Sequence, residues 1–220
     1  MNGLELRDIS FSYPKSKKPV LEGLNVVFEE GRVSSIRGYS GAGKSTLLYL
    51  VAGLDVPRSG QILWNGEEVN QRDLGSYRRH TASMIAQSYL LFPGRTVMEN
   101  VCYPLMLGGY KESEMRKEAS TYLEMVHIDE SLYDRLPGAL SGGEQQRVAI
   151  ARCLATHTPL IAADEPTGNL DEDNTVDVIQ ILKRLAHEEN KTVIIVTHDR
   201  MVADNADVRF ILSKGNIRPE

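Results

Sequence analysis

Two cysteines in 220 residues, Cys102 and Cys153, are too few and too far apart for a disulfide framework or a paired-thiol metal site. Both are expected as buried thiols in a reducing compartment. Basic runs are missing as well: 25 Lys and Arg against 30 Asp and Glu leave a net charge of -5 spread along the chain, and nothing in that distribution asks for nucleic acid or an anionic lipid surface. No apolar stretch approaches the length of about 20 residues that a membrane-crossing helix needs. Even residues 103–107 are cut short by Gly108 and Gly109. The opening residues include Asn2, Glu5, Arg7 and Asp8, which cannot supply the basic stretch and apolar core of a secretory leader, so export of the chain is not expected. Repeats, low-complexity tracts and linkers are absent too. A membrane role, if there is one, falls to a partner.

What is present is enough apolar material, 41% of residues, for one well-buried unit. Leu4, Leu6, Ile9 and Phe11, then Leu24, Val26 and Phe28, suggest strands of nearly alternating burial, and Glu30-Gly31 turns the chain into an apolar run over 33–36. A glycine-rich turn follows, then a helix over 44–52 dense in leucine. Short strands are expected over 61–64, before the Asn65-Gly66 turn, and over 81–86. From 96 to 127 Met98, Val101, Leu105, Met115, Ala119, Leu123 and Val126 recur at helical spacing. Beyond them, short apolar runs at 160–163 and 193–196 flank an amphipathic helix over 176–185, and a last strand is expected over 207–213. Buried strands alternating with helices indicate an α/β sheet. The whole chain, 1–220, is expected to form one domain, with a core of 1–87 and 157–220 and a helical subdomain inserted at about 88–156.

Gly38-Tyr39-Ser40-Gly41-Ala42-Gly43-Lys44-Ser45 fits G-x-x-x-x-G-K-[ST] and lies between an expected strand and an expected helix, where the pattern has a mechanism. Glycines let the backbone turn its N–H groups toward phosphates, the helix start adds positive potential, Lys44 neutralises β and γ oxygens, and Ser45 reaches Mg²⁺. Asp164 closes the apolar run 160–163, so a carboxylate stands at the end of a buried strand within reach of the metal. Glu165 beside it is placed to orient or deprotonate an attacking water, work worth typically 10²–10⁴-fold. An acidic pair capping a strand is often merely solvated, and the glycine loop is what tips the balance. By the same geometry His198 follows the strand 193–196 and reaches the γ-phosphate, while Gln87 brings an amide oxygen to metal or water. Alone, each would read as an ordinary loop residue.

Leu140-Ser141-Gly142-Gly143-Glu144-Gln145 opens another helical pattern, with Ser141 as N-cap. Two glycines at a helix start make a second anion site. It lies about a hundred residues beyond the first loop, and one nucleotide rarely needs both from one chain. A head-to-tail homodimer, in which each Ser141 segment closes over ATP held by the other copy, accounts for both.

In order and spacing, residues 38–45, Gln87, 140–145, 160–165, 168–171 and His198 resemble the ATP-binding-cassette (ABC) ATPase family across nearly the whole chain. No other P-loop family shares the set. The resemblance implies a RecA-like P-loop NTPase core with an N-terminal antiparallel β subdomain and an inserted α-helical subdomain. It also implies ATP and Mg²⁺ as cofactors and an ATP-sandwich dimer. Residues 140–145 become the family signature, Gly168-Asn169-Leu170-Asp171 the dimer-crossing loop, Tyr13 the adenine-stacking aromatic, and Thr46 a further nucleotide contact. As a strand-end tyrosine before Pro14, Tyr13 also reads as simple packing. Residues 163–171 look most like the branch serving macrolide exporters, lipoprotein-extraction complexes and peptide-antibiotic export or resistance systems. The chain stops soon after 207–213, without the regulatory extension of many importer ATPases, which leans the same way.

Departures from the family pattern are Tyr39 and Ala42 in the loop, Arg37 before it, and small Ala162 and Ala163 in the Asp164 strand; none removes a catalytic group. The expected protein is therefore the ATPase subunit of a transporter, peripheral on the cytoplasmic face of the membrane through transmembrane permease subunits. Tyr89, Leu91 and Phe92 are candidates for the docking surface and equally for core packing. The alternative is a soluble ABC ATPase of protein or cofactor assembly, without a permease. A GTPase is disfavoured, since Asn190-Lys191-Thr192 is followed by Val193 where N-K-x-D requires Asp.

Overall fold

The computed structural model describes residues 2–14, 18–168 and 170–220; Asn169, one of the four residues of the expected dimer-crossing loop, lies outside the described residues. The chain opens with antiparallel strands β1 (Gly3–Phe11) and β2 (Leu21–Glu29). Strict alternation from Leu4 and Leu6 would turn Ile9 to the wrong face. A register shift between Leu6 and Ile9, with Asp8 at φ 49°, returns Ile9 and Phe11 to the buried side. Next come β3 (Val33–Arg37), α1 (Lys44–Val51), β4 (Ser59–Trp64), β5 (Glu67–Glu68), α2 (Leu74–His80) and β6 (Ala82–Ile85). The helical stretch holds α3 (Val97–Leu107), α4 (Glu112–Met125) and α5 (Gly142–Leu154), which pack on one another. The chain then runs through β7 (Leu160–Asp164), α6 (Glu172–His187), β8 (Thr192–Val196), α7 (Arg200–Asp204), β9 (Val208–Ser213) and β10 (Asn216–Pro219).

Among the described residues the strands form two sheets, an antiparallel one in the order β2-β1-β4-β5 and a second in the order β10-β9-β3-β8-β7-β6. The second is parallel except for β10, which returns as a hairpin on β9. Every residue of β7 and β8 is buried, because apolar layers cover both faces. The period of two sorts their side chains between those layers. Ile161, Ala163, Val193 and Ile195 join a core built with α5 and α6, whereas Leu160, Ala162, Ile194 and Val196 join one built with α1 and the antiparallel sheet. The small Ala162 and Ala163 are fully buried, one in each layer.

Elements outside the sequence expectations are α2, the two-residue β5, the short α7, and β10, which follows the strand expected to be the last. Cys153 is buried as expected, but Cys102 is only half-buried on α3; both are free thiols.

Candidate functional site

Parallel pairing gathers the candidate residues at one sheet edge. In the ladders, Ile36 lies opposite Val196, Asp164 opposite Val196, and Ile85 opposite Ala163, so β3, β8, β7 and β6 end almost level. The loop after β3, the carboxylates after β7, His198 after β8 and Gln87 after β6 therefore leave the sheet on the same side. This is the carboxyl edge where α/β sheets place ligands.

The loop from Gly38 closes onto α1 through glycines where a side chain would clash or strain the backbone. A Cβ on Gly38 would lie 2.4 Å from the Leu212 carbonyl oxygen, and Gly43, the N-cap of α1, sits at φ 98° against the Val20 side chain. Lys44 folds back over the loop, its ammonium donating to the carbonyls of Gly38 at 2.9 Å and Tyr39 at 3.2 Å. This holds a positive charge over unpaired N–H groups at the start of α1.

Asp164 is 7% exposed. Burial pushes its carboxyl above the ordinary range and neighbouring Glu165 adds to this, against the Ser45 hydroxyl and the Lys44 charge. A buried carboxylate beside a serine hydroxyl is an oxygen donor pair suited to a hard divalent cation that keeps waters and phosphate oxygens as its other ligands, and the nearby ammonium is left for the phosphates. Glu165 adopts φ 47°, an uncommon conformation for a non-glycine residue, with its N–H bonded to Val196 O at 2.9 Å. The turn sends its side chain to His198: the ring Nδ1 lies 2.8 Å from Oε1 and the His198 backbone N–H donates to Oε2 at 3.2 Å. His198 itself is 72% exposed.

A cavity of about 370 Å³ is lined by Tyr13, Ser40, Gly41, Gly43, Lys44, Ser45, Thr46, Gln87, Asp164 and Glu165. Tyr13 stands at its edge, 45% exposed, with its ring edge-on to Phe11 and its hydroxyl 2.9 Å from the Thr46 hydroxyl. Gly38, Tyr39 and His198 border a separate hollow, and Ala42 is buried. Ser141, Gly142, Gly143, Glu144, Gln145 and Asp171 line neither space. They form a second constellation. Ser141 caps α5 in a reciprocal box, accepting the Glu144 N–H at 3.3 Å and donating both its N–H and hydroxyl to the Glu144 carboxylate, which these bonds hold below its ordinary pKa. Asp171 caps α6 by accepting the Asn174 N–H at 2.9 Å, and Asn174 meets Arg147 of α5.

A further groove of about 260 Å³ runs between the core and the helices, lined by Leu54, Arg78, Phe92, Tyr103, Leu107 and Arg152 among others. Of the three surface candidates, Phe92 lines it, Leu91 packs on the core, and Tyr89 lies half-buried with its hydroxyl toward Gly142. Sequence reasoning missed two residues here. Arg152 donates to the carbonyls of Leu90 at 2.7 Å and Tyr89 at 3.0 Å with its guanidinium over Phe92, and fully buried Asn100 bonds Phe92, Arg95 and Thr96. A polar residue on an otherwise apolar helix face was the available signal for both.

A glycine loop between β3 and α1, with a carboxylate at the end of a parallel strand beside it, defines a P-loop nucleotide-hydrolysing protein. The model of the ABC transporter family matches residues 21–168, and the chain belongs to that family and is an ATP-binding ATPase. It is 41% identical over 210 residues to the lipoprotein-releasing system ATP-binding protein LolD of Coxiella burnetii, covering 94% of this chain and 90% of that one. Over 201 residues it is 41% identical to the macrolide export ATP-binding/permease protein MacB of Brucella melitensis, covering 90% of this chain but 31% of that longer one. The dimeric structure of the cassette MJ0796 from Methanocaldococcus jannaschii superposes with a TM-score of 0.92 at 36% identity, covering 99% of this chain and 97% of the other. A second structure of that cassette, also dimeric, is a post-hydrolysis state bound to ADP and Pi.

Proposed function

We propose that two copies of the chain, arranged head to tail, hydrolyse ATP at two shared sites and power a membrane permease that exports or extracts a peptide, lipid-linked or drug-like substrate. The observation that carries this reading is the separation of two phosphate-adapted helix starts: the start of α1 borders the cavity and the start of α5 does not. A second copy supplies what one chain keeps apart.

In this reading the loop N–H groups, Lys44 and Thr46 bind the phosphates, and Tyr13 stacks on adenine. Ser45, Asp164 and Gln87 hold Mg²⁺, which supplies charge neutralisation at the phosphates. Glu165 takes the proton of the attacking water. His198 fixes Glu165 by two hydrogen bonds, which leave Nε2 unused, and in this reading that nitrogen meets the γ-phosphate. Ser141 with its two glycines, and Asp171, serve the site of the partner copy.

The groove supports the permease. Exposed Phe92, Leu54 and Leu107 beside Arg78 and Arg152 suit an amphipathic helix with apolar and acidic side chains. No helix among the described residues is long and apolar enough to cross a membrane, so attachment at the cytoplasmic face goes through that partner. The names of LolD and MacB support release or export.

Complementation tests the dimer. Ser141→Arg and Lys44→Ala are each expected to abolish hydrolysis alone, and an equal mixture to regain it, because the mixed dimer keeps one site with both halves intact. A mixture that stays inactive sinks the head-to-tail arrangement. Capture of the tagged chain from detergent-solubilised membranes is expected to bring a multispanning protein; soluble partners alone would favour an assembly ATPase.

A further inference from the structure

Three consecutive residues at the entrance of the phosphate loop are met by the β9–β10 hairpin and the residue after it, none of which borders the nucleotide cavity. Arg37 pairs with Glu220 at 3.0 Å. Gly38 lies so close to the Leu212 carbonyl that a Cβ would clash. The Tyr39 hydroxyl accepts the Lys214 backbone N–H at 3.2 Å. The same hairpin turn also reaches the other flank of the loop. Gly215 O accepts the Glu22 N–H at 3.0 Å, and Gly215 approaches Val20, whose side chain walls Gly43 and the cavity.

Tyr39 is the point where this support reaches chemistry. Its carbonyl accepts the Ala42 N–H at 3.1 Å, closing the turn of the loop, and the Lys44 ammonium at 3.2 Å. Its ring is 56% exposed, so burial does not account for an aromatic here, whereas the reach of its hydroxyl to the hairpin does. A shorter side chain would leave the turn that aims Lys44 unanchored. Glu220 and Arg37 restrain the strand end immediately before it, each side chain about three-quarters covered.

We infer that Tyr39 is a positioning residue of the phosphate loop, through which the β9–β10 hairpin sets the loop's affinity for a nucleoside triphosphate. The inference rests on the reading that residues 38–45 hold the phosphates. The hairpin is then a handle on nucleotide binding: whatever displaces it loosens Tyr39, and with Tyr39 the acceptor that positions Lys44.

Titration of the purified full chain with a fluorescent ATP analogue, alongside steady-state hydrolysis and thermal unfolding, tests this. Tyr39→Phe keeps the ring and removes the acceptor; it is expected to weaken binding and raise KM for ATP by about 2- to 10-fold, the usual reach of one hydrogen bond, with the unfolding midpoint unchanged. Glu220→Gln, remote from the cavity, is expected to act in the same direction by about twofold. Parent-like Kd and KM in Tyr39→Phe, with or without a lowered midpoint, overturn the inference. Lys44→Ala in the same titration separates the two failures. If it loses binding while Tyr39→Phe does not, only the brace is wrong; if it binds like the parent, the loop assignment and the brace fall together.

Discussion

Glu165 depends on its backbone as much as on its carboxylate. At φ 47° the chain turns sharply after Asp164, so two adjacent acids face different tasks: Asp164 stays buried beside Ser45, and Glu165 swings to His198. The bond from the His198 ring to a carboxylate assigns the proton to Nδ1. Glu165→Gln keeps an acceptor for that ring but has no basic oxygen for the proton of water. Hydrolysis is expected to fall by about 10²–10⁴-fold while ATP binding persists, so the variant should elute from a sizing column as an ATP-dependent dimer. A monomeric, fully active variant would remove Glu165 from the chemistry. At this scale the sequence was eloquent where function is local: Lys44 and Ser45 are fixed by neighbours within the same loop. It marked Tyr39 only as a departure from the loop pattern, because its hydroxyl partner lies 175 residues away.

Among the elements, α3 shows how a loop can be fastened from a helix. Its Thr96 N-cap and Glu99 form a capping box, and one turn on Asn100 accepts the Phe92 N–H and donates to three carbonyls. That fixes the segment presenting Phe92 to the groove. Asn100→Ala strands a buried N–H and several carbonyls, and is expected to cost about 2–4 kcal/mol by denaturant unfolding. Asn100→Asp, which lacks the donors, should not restore it; a variant as stable as the parent would mean that water replaces the amide. Elements with a strong buried face were legible beforehand, as with α6, although its first turn extends the expected 176–185 back to the Asp171 cap. Helix α2 buries only Tyr77 and β10 only Ile217, so neither carries a periodic signal, although β10 pairs with its neighbour β9 in a hairpin.

Across the whole molecule, Asp207 joins three parts of the core. Its carboxylate accepts the Val33 N–H at 2.7 Å where β3 begins and faces His187 of α6 at 2.9 Å. Burial raises its pKa, but the bonds from Val33 and His187 and the nearby Lys183 charge outweigh that, leaving it below the ordinary 3.8. A depressed folded-state pKa means the contribution is complete above about pH 4 and disappears as pH falls through the lowered value. Asp207→Asn should therefore be less stable than the parent by about 1–2 kcal/mol at neutral pH, with the gap between the two unfolding midpoints closing as the pH falls through the lowered pKa of Asp207. A gap constant with pH would refute the charge's role.

The separation of the α5 start from the cavity bears on inheritance as well as on mechanism. Neither Lys44 nor Ser141 belongs to either apolar core, so a copy that lacks one of them would still fold. On the head-to-tail reading, random pairing of equal amounts of normal and defective chains leaves only about a quarter of dimers with two sound sites. A lesion in one gene copy would therefore remove one of the two sites from every mixed dimer, whereas a lesion that prevents folding would merely be absent from the pairing.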